Sequence, residues 1–380
     1  MSEKITREEM AGQGQNDVVA SIRIHQDATI LDIRGDLDGS CEASLAGAFA
    51  EGMKASGRIL LNLSGLGRMD VEGAGLLLIN ASRASRKNIR VLACGLSEPY
   101  QDVFHLTGLD EAIGVYDRET EALCCRQHPG ETRPEGLRSY SAPSRPPAGW
   151  APFAECVSVR DMPPEAMNIN VNGRRVSFPA TGFGRLVDKR YFLRVNDPEI
   201  DPRDVVAVWR SEFPDFWPKG NRVFPSAGAP IAPGTAAVLN LALPGGLALA
   251  TGIMVIHADE RSFSFSTIQG HILSGWITFS SFRRAGATVI QVHPLFRTGD
   301  PMMEIGFRLG AARQEDRFWH ETLGNLARRL GTDGKTEQTE ELIDSRLQWR
   351  HWKNIRYSAA IRSFFYLPLH LLKKGHGRPK

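Results

Sequence analysis

The stretch RILLNLSGLGRMDVEGAGLLLINASRASRK, residues 58–87, decides how the front of this 380-residue chain is read. Ile59-Leu60-Leu61-Asn62-Leu63 is a nearly all-apolar run, the pattern of a strand covered on both faces. A polar turn is expected over Ser64 to Arg68. An acidic tip, Asp70-Val71-Glu72, follows, and then a helix that opens on Gly73 and Gly75 and carries Leu76, Leu77 and Ile79 toward Lys87. Asp70 is placed to cap that helix. The positive end of a helix dipole beside an exposed acidic tip is a place where added charge is felt strongly. The stretch holds no obvious nucleophile, metal cluster or phosphate loop, so this edge suits partner docking better than a catalytic pocket.

Outward from it, strands alternate with helices. Val18 to Ile24 and Thr29 to Ile33 read as strands, and Ser40 as the N-cap of a helix carrying Leu45, Phe49 and Met53. Ile89 to Ala93 is another buried strand. Ser97 is expected to cap a helix with Val103, Phe104 and Leu106, which Gly108 stops. Ile113 to Tyr116 closes the sheet, and Glu119 to Cys124 forms a last helix. This alternation predicts an α/β domain with a mixed or parallel sheet over residues 16–125.

Several segments, in this order, carry a resemblance to a known family. They are Gly35-Asp36-Leu37-Asp38, Leu61-Asn62-Leu63-Ser64-Gly65-Leu66, Met69-Asp70, Gly73-Ala74-Gly75-Leu76-Leu77, Ala93-Cys94-Gly95-Leu96-Ser97 and Phe104-His105-Leu106-Thr107-Gly108-Leu109. The domain resembles the STAS family, which includes the anti-sigma factor antagonists. The resemblance implies a four- or five-stranded sheet with helices on one side, and a binding switch rather than an enzyme. It implies partner-binding residues at Asp70, Val71, Glu72, Gly73 and Gly75. The partner would be a protein, an anti-sigma-type switch kinase or a membrane assembly. The family pattern after the aspartate is two hydroxyl residues, the first a phosphate acceptor; here Val71 and Glu72 stand instead. A valine accepts no phosphate, and one carboxylate charge mimics only part of the roughly −1.5 to −2 of a phosphoserine. Ser64 and Ser82 lie nearby but not at the matching position.

Arg126 to Pro152 is rich in Pro and Gly and reads as a semi-extended tether. Residues 153–331 follow with a strand at Arg185 to Val195 and a helix started by Asp201-Pro202. A loop spans Pro214 to Pro233. Strands then run at Ala237 to Leu243, Thr251 to His257, Ser262 to Thr267, Gly275 to Phe282 and Thr288 to Pro294. A long helix is expected over Met302 to Leu330, with Trp319, Leu323, Leu326 and Leu330 on one stripe. This order, together with Thr267-Ile268-Gln269-Gly270-His271-Ile272-Leu273-Ser274-Gly275, is similar to the START-like superfamily. The resemblance implies an α+β helix-grip domain enclosing a cavity for a lipid or other apolar ligand. His257, His271, His293 and Glu304 are its candidate polar cavity residues. A cyclase- or hydrolase-like enzyme is the alternative reading of this domain. Trp209, Phe213, Phe216 and Trp217 read as core or as cavity mouth.

Residues 332–380 form a charged tail. Glu337 to Asp344 is acidic and reads as helical. From Ser345 onward there are nine Lys and Arg and no Asp or Glu. Arg346, Arg350 and Lys353 would share a helix face beside Trp349, Trp352 and Ile355. That mixture suits an anionic membrane surface, a nucleic acid or other acidic partner, or a helix packed on the domain before it. A lipid-handling adaptor held at a membrane by this tail is a further alternative.

The composition bounds these readings. With 42% hydrophobic residues the chain can bury sizeable cores, and a net charge of +3 argues against nucleic acid as main partner of the whole chain. The five cysteines (Cys41, Cys94, Cys124, Cys125, Cys156) lack metal-ligand spacing and suit a reduced, cytoplasmic setting, with peripheral membrane contact open. Cys124 and Cys125 read as small apolar helix residues. Met1 to Gln15 is polar, reads as disordered, and lacks the apolar core of a signal peptide. No run reaches the ~20 apolar residues of a membrane span. No cofactor, metal or catalytic residue is expected.

Overall fold

Five strands build the first sheet: β1 (Val19–His25), β2 (Ala28–Leu37), β3 (Arg58–Met69), β4 (Arg90–Cys94) and β5 (Gly114–Tyr116). β1 and β2 form an antiparallel hairpin, and β2 through β5 run parallel in chain order. The parallel pairs need long crossovers, supplied by α1 (Glu42–Ala55), α2 (Val71–Arg86) and α3 (Glu98–Thr107). This computed structural model describes residues 19–124, 146–226, 230–242 and 248–366. The chain divides into two compact units, Met1–Ala148 and Gly149–Lys380. The expected disordered N-terminus, Cys125 and most of the expected tether lie outside the described residues.

Alternation along β3 sends neighbouring side chains to opposite faces. Ile59, like Thr29 beside it, faces Gly52 of α1 at about van der Waals distance. Leu60, with Ile30 and Leu92 in the same row, packs instead on Ala122 and Leu123 of α4 (Glu119–Cys124). The helices therefore cover both faces, which corrects the one-sided arrangement expected. The second face had to be covered because Ile30, Leu60 and Leu92 are as apolar as their neighbours. Cys124 ends α4 exposed.

Two further expectations change. Ser64 to Arg68 is not a turn but the continuation of β3, which holds its pairing with β2 to Leu37 and Met69 through two register shifts. Ser40 does not cap α1. Asp38 caps the short 3-10 turn Gly39–Cys41 before it, accepting from the Ser40 amide at 2.9 Å.

The second unit is one antiparallel sheet with helices on it. Its strands are β6 (Val176–Ser177), β7 (Leu186–Val195), β8 (Arg222–Pro225), β9 (Ala236–Ala242), β10 (Ala248–Ala258), β11 (Ser262–Ile268), β12 (Leu273–Arg284), β13 (Ala287–Thr298) and β14 (Thr336–Asp344). Their order is β14-β7-β13-β12-β11-β10-β9-β8, with β6 added beside β11. Helix α5 (Pro202–Ser211) and α7 (Ala312–Arg329) lie on one face. There Phe263, Phe265 and Phe279 meet Trp209, Phe213, Leu323 and Leu326 in a dense aromatic core. Trp209, Phe213, Phe216 and Trp217 thus serve as core, and Phe213 also faces the cavity described below.

The long helix expected over Met302 to Leu330 is interrupted. α6 (Pro301–Gly306) passes into a π-helical segment, Phe307–Ala311, before α7 begins. Gly310 in that segment has φ 136°, a conformation open only to glycine. The acidic Glu337 to Asp344 run, expected as helix, is strand β14 paired to β7. β7 presents an open edge, and its unpaired backbone groups decide the matter over the helical preference of Glu, Gln and Leu.

The chain after β14 stays on this unit. Trp349–Tyr357 is a nine-residue 3-10 helix rather than an α-helix. Asn354 donates to the Thr181 and Gly299 carbonyls (2.9 and 3.0 Å), and the Ala359 amide donates to Gly270 O at 2.8 Å. Residues 359–366 are helical, and Ser363 accepts from the Ala250 amide at 3.0 Å. At the other end, Trp150 and Ala151, read as the end of the tether, are buried here; Ala151 bonds Ile256 O at 2.8 Å. Among the described residues no helix is long and apolar enough to cross a membrane.

Candidate functional site

The tip of α2 is built by the ends of β2 and β3. Asp70 is in extended backbone, and its carboxylate accepts from the Gly73 amide at 2.9 Å, closing the first turn. The Asp70 amide bonds Leu37 O at 3.3 Å, so the helix starts directly on the end of β2. Gly73 is a steric necessity: a Cβ there would stand 2.1 Å from the Leu37 carbonyl oxygen. Tyr100 of α3 fixes the other side, its hydroxyl accepting from the Met69 amide (2.9 Å) and donating to Gly67 O (3.2 Å). Val71 is 1% exposed and belongs to the core. Gly75 is buried, and Glu72 is half-buried against Gly39. Of the five expected partner-binding residues, Asp70 and Glu72 thus face the rim, while Val71, Gly73 and Gly75 set its shape.

Two neighbours join the rim that were not assigned to it from the sequence. Asp36 accepts from the Arg68 amide at 2.9 Å, and Asp38 holds the Ser40 amide and hydroxyl. With Asp70 and Glu72 they place four carboxylates at the ends of β2 and β3. The Gly35-Asp36-Leu37-Asp38 segment was the available signal.

Deeper in this unit, Arg23 forks onto Asp32 (2.6 and 2.8 Å) and reaches Glu119 (2.9 and 3.1 Å), while Asn62 donates to Asp32 at 2.7 Å. Burial works to raise the Asp32 carboxyl, but Arg23 and Asn62 outweigh it and hold the group below its usual range. Burial, with Glu119 and Asp32 nearby, pushes the Cys94 thiol up to about 11, so it stays protonated and inert as a nucleophile near neutrality.

In the second unit a cavity of about 530 Å³ opens beside the aromatic core. α5 and the turn after it contribute Ala207, Arg210 and Phe213; β8 gives Val223, β10 gives Ile253 and Val255, and β11 gives Phe265. The lining is mainly apolar. Arg210 is engaged, donating to the Asp259 and Ile231 carbonyls at 3.0 and 2.7 Å. The cavity reflects a place where α5 and the short β8 leave the sheet incompletely covered. A cavity was expected in this domain, but with other polar residues in its lining, because its walls come from five separate segments.

None of the four candidate polar residues lines this cavity. His257 is buried edge-on against Trp150, with ring centroids 5.1 Å apart. His271 closes the β11–β12 turn, its Nδ1 accepting from the Leu273 amide at 3.0 Å. Burial pushes its pKa down to about 4. His293 pairs with Asp188 on the sheet face opposite the aromatic core. Burial works to raise Asp188, yet the neighbouring His293 and Arg190 hold it below its ordinary value. Glu304 is buried on Arg185 Nε (2.9 Å), Arg308 Nε (2.9 Å) and the Thr298 hydroxyl (2.8 Å). The four are thus not brought together. Among the described residues no group of three or more His, Cys, Asp and Glu is gathered as a metal site would require.

The five tail residues all lie on the second unit. Arg346 bonds Asp344, which also takes Arg297 at 2.8 Å. Trp349 stands edge-on to Phe183, and Arg350, Lys353 and Trp352 are exposed.

The geometry agrees with what comparison shows. The STAS domain family model matches residues 20–122. An anti-sigma factor antagonist structure from Mycobacterium paratuberculosis is 17% identical, covering 29% of this chain and 94% of that one, with a TM-score of 0.26. A putative anti-sigma factor antagonist from Thermotoga maritima is 24% identical over 27% of this chain and 89% of its own, with a TM-score of 0.26. The di-domain ARO/CYC protein StfQ of the steffimycin biosynthetic pathway is 14% identical, covering 39% of this chain and 53% of that one, with a TM-score of 0.31. On the family match and the β-strand and helix order that fits it, the front unit of this chain carries a STAS domain over residues 20–122.

Proposed function

We propose that the chain is a non-enzymatic regulatory protein in which the STAS domain docks a protein partner through the tip of α2 and the second unit binds an apolar ligand. The observation that carries the first half is the tip itself. It is a capped helix start pinned to Leu37 and Tyr100, so a rigid acidic rim is presented without ordering cost. The partner is of the anti-sigma kinase type or part of a membrane assembly, and its docking face carries basic residues.

Val71 gives this reading its particular form. It sits buried at the position where the family has a phosphate acceptor, so phosphorylation there does not gate docking. Ligand occupancy in the second unit is the remaining input. The reading of that unit as a START-like helix grip is supported by a large antiparallel sheet carrying α7, and by a cavity within the usual range for small-molecule sites, about 300–1,000 Å³. His271 and Glu304, on which enzymatic chemistry would have relied, do not line that cavity.

The test has two arms. Full-length protein purified without detergent is weighed by native mass spectrometry; a retained small molecule, lost from Ile253→Trp, is expected. Affinity capture from the source cell is then compared between the wild type and Glu72→Arg, which reverses charge at the rim without touching the Asp70 cap. Loss of one captured protein in the variant is expected. Identical capture profiles would end the docking reading, and an empty cavity would end the ligand reading.

A further inference from the structure

The nine-residue 3-10 helix Trp349–Tyr357 is long for its type, and its geometry sorts its residues into three lines. With three residues per turn, positions three apart eclipse one another. Trp349, Trp352 and Ile355 make one line. Arg350, Lys353 and Arg356 make the second. His351, Asn354 and Tyr357 make the third, and this one holds the helix down. Asn354 donates to the Thr181 and Gly299 carbonyls, and Tyr357 lies under Arg174 at 5.2 Å and against Gly270. The helix is therefore held chiefly by the third line, with Trp349 also edge-on to Phe183 and Ile355 half-buried, and the other two lines face largely outward.

What it offers is both greasy and basic. Trp349 is 67% exposed and Trp352 48%, and Arg350, Lys353 and Arg356 are exposed. α6 packs beside this helix, and the segment it leads into leaves Ile305 at 60% and Leu309 at 82% exposure, with exposed Arg308 between them. Phe364 and Phe365 are exposed further along. From Ser345 to the end of the chain there is no Asp or Glu.

From this juxtaposition we infer that the 349–357 helix, with Ile305 and Leu309 beside it, is a foot that seats the second unit on an anionic lipid surface. Charge complementarity names the sign of the partner, since a basic line without acids in its own segment favours phosphate-bearing headgroups. The aliphatic side chains name its kind. Tryptophans settle at the level of lipid headgroups, and Ile305 and Leu309 gain by entering the acyl boundary, whereas phosphate and base edges of a nucleic acid give them nothing. The surface is already folded, so little ordering is needed on contact.

The experiment is co-sedimentation of the full chain with phosphatidylcholine vesicles and with vesicles containing phosphatidylglycerol, at low and raised salt. Binding to the anionic vesicles alone, weakening with salt, is expected. The triple charge reversal Arg350→Glu, Lys353→Glu, Arg356→Glu should cut partitioning by at least about a hundredfold. These side chains lie on the outward line, so the variant keeps its circular dichroism spectrum. As a second readout, Trp352→Ala should weaken binding while leaving its salt dependence in place. Recovery of the wild type in the supernatant with anionic vesicles would overturn the inference. So would undiminished binding of the triple variant, or release from vesicles by added single-stranded RNA with the protein travelling on the RNA.

Discussion

The two units handle charge in opposite ways. In the STAS domain the ion pairs have one partner in water: Arg23 stands half-exposed over Asp32, and the acidic rim of α2 lies at the surface. In the second unit several charges are packed inside, beside exposed pairs such as Arg203–Glu260. Lys189 is 2% exposed and meets Glu315 at 2.9 Å, Asp316 at 2.8 Å and Glu340 at 3.3 Å. Tyr191 donates to Asp316 at 2.7 Å, and the Asp188–His293 and Arg297–Asp344 pairs are buried as well. The difference teaches where to look for function. A domain whose charge is at its rim offers that rim to the partner proposed for it. A domain that sequesters charge offers, on the proposals made above, an apolar cavity and an aromatic, basic outer line.

The largest expected effect breaks the interior cluster. One ammonium faces three carboxylates, of which Glu315 and Asp316 are largely out of water while Glu340 is half-exposed, so Lys189→Met leaves the two inner ones uncompensated and should cost about 3 kcal/mol, the lower end for a buried pair. All seven tryptophans lie in the second unit (150, 209, 217, 276, 319, 349 and 352), so fluorescence-detected urea unfolding reports this unit alone. An unchanged midpoint would mean the cluster is solvated after all.

A middle-sized effect comes from pH. Burial, aided at His351 by Arg350, holds His271 and His351 neutral, with pKa pushed down to about 4 in each. The unfolded chain takes up those protons first as pH falls below the ordinary histidine value of about 6.5. Their contribution is therefore present above that value and lost toward pH 4. Glu315 acts in the opposite direction. Burial, not fully offset by Lys189, pushes it up to about 7, so the folded chain takes its proton first and gains stability on acidification. Two histidines against one carboxyl leave a net loss of about 1–2 kcal/mol between pH 7 and pH 5. The tryptophan signal should show it, and His271→Gln with His351→Gln should flatten or invert the slope.

The smallest effect belongs to the STAS domain. Asp70→Ala removes the cap of α2 and should cost about 1 kcal/mol. Faster amide exchange at Gly73 and Ala74, with the tryptophan transition unmoved, would show the loss confined to the rim.

Much of this was legible in residue order. The β-strand and helix succession of the STAS domain follows from apolar runs and from caps such as Asp70 and Gly108, because local chemistry and tertiary packing agree there. The second sheet was legible where alternation was strict, as in Ser262–Ile268. The misses share a cause. Thr336–Asp344 has helix-forming composition, and only the open edge of β7 makes it a strand. Ser64 to Arg68 looks like a turn, and only its pairing to β2 keeps it extended. Both outcomes depend on a neighbour distant in sequence. The same holds for the residues that line the cavity, and for the 3-10 winding of 349–357, which Asn354 secures through carbonyls 173 and 55 residues away.

Strand β14 has a consequence for how this protein can be divided. It closes the edge of β7 and turns a row of exposed acidic side chains, Glu337, Glu340 and Glu341 among them, toward the outside. A chain severed after Leu330 would strip that guard and leave β7 with its backbone donors bare beside Tyr191 and Leu193. Such a fragment invites strand-by-strand stacking of its own copies, and is expected to precipitate more readily than the intact protein.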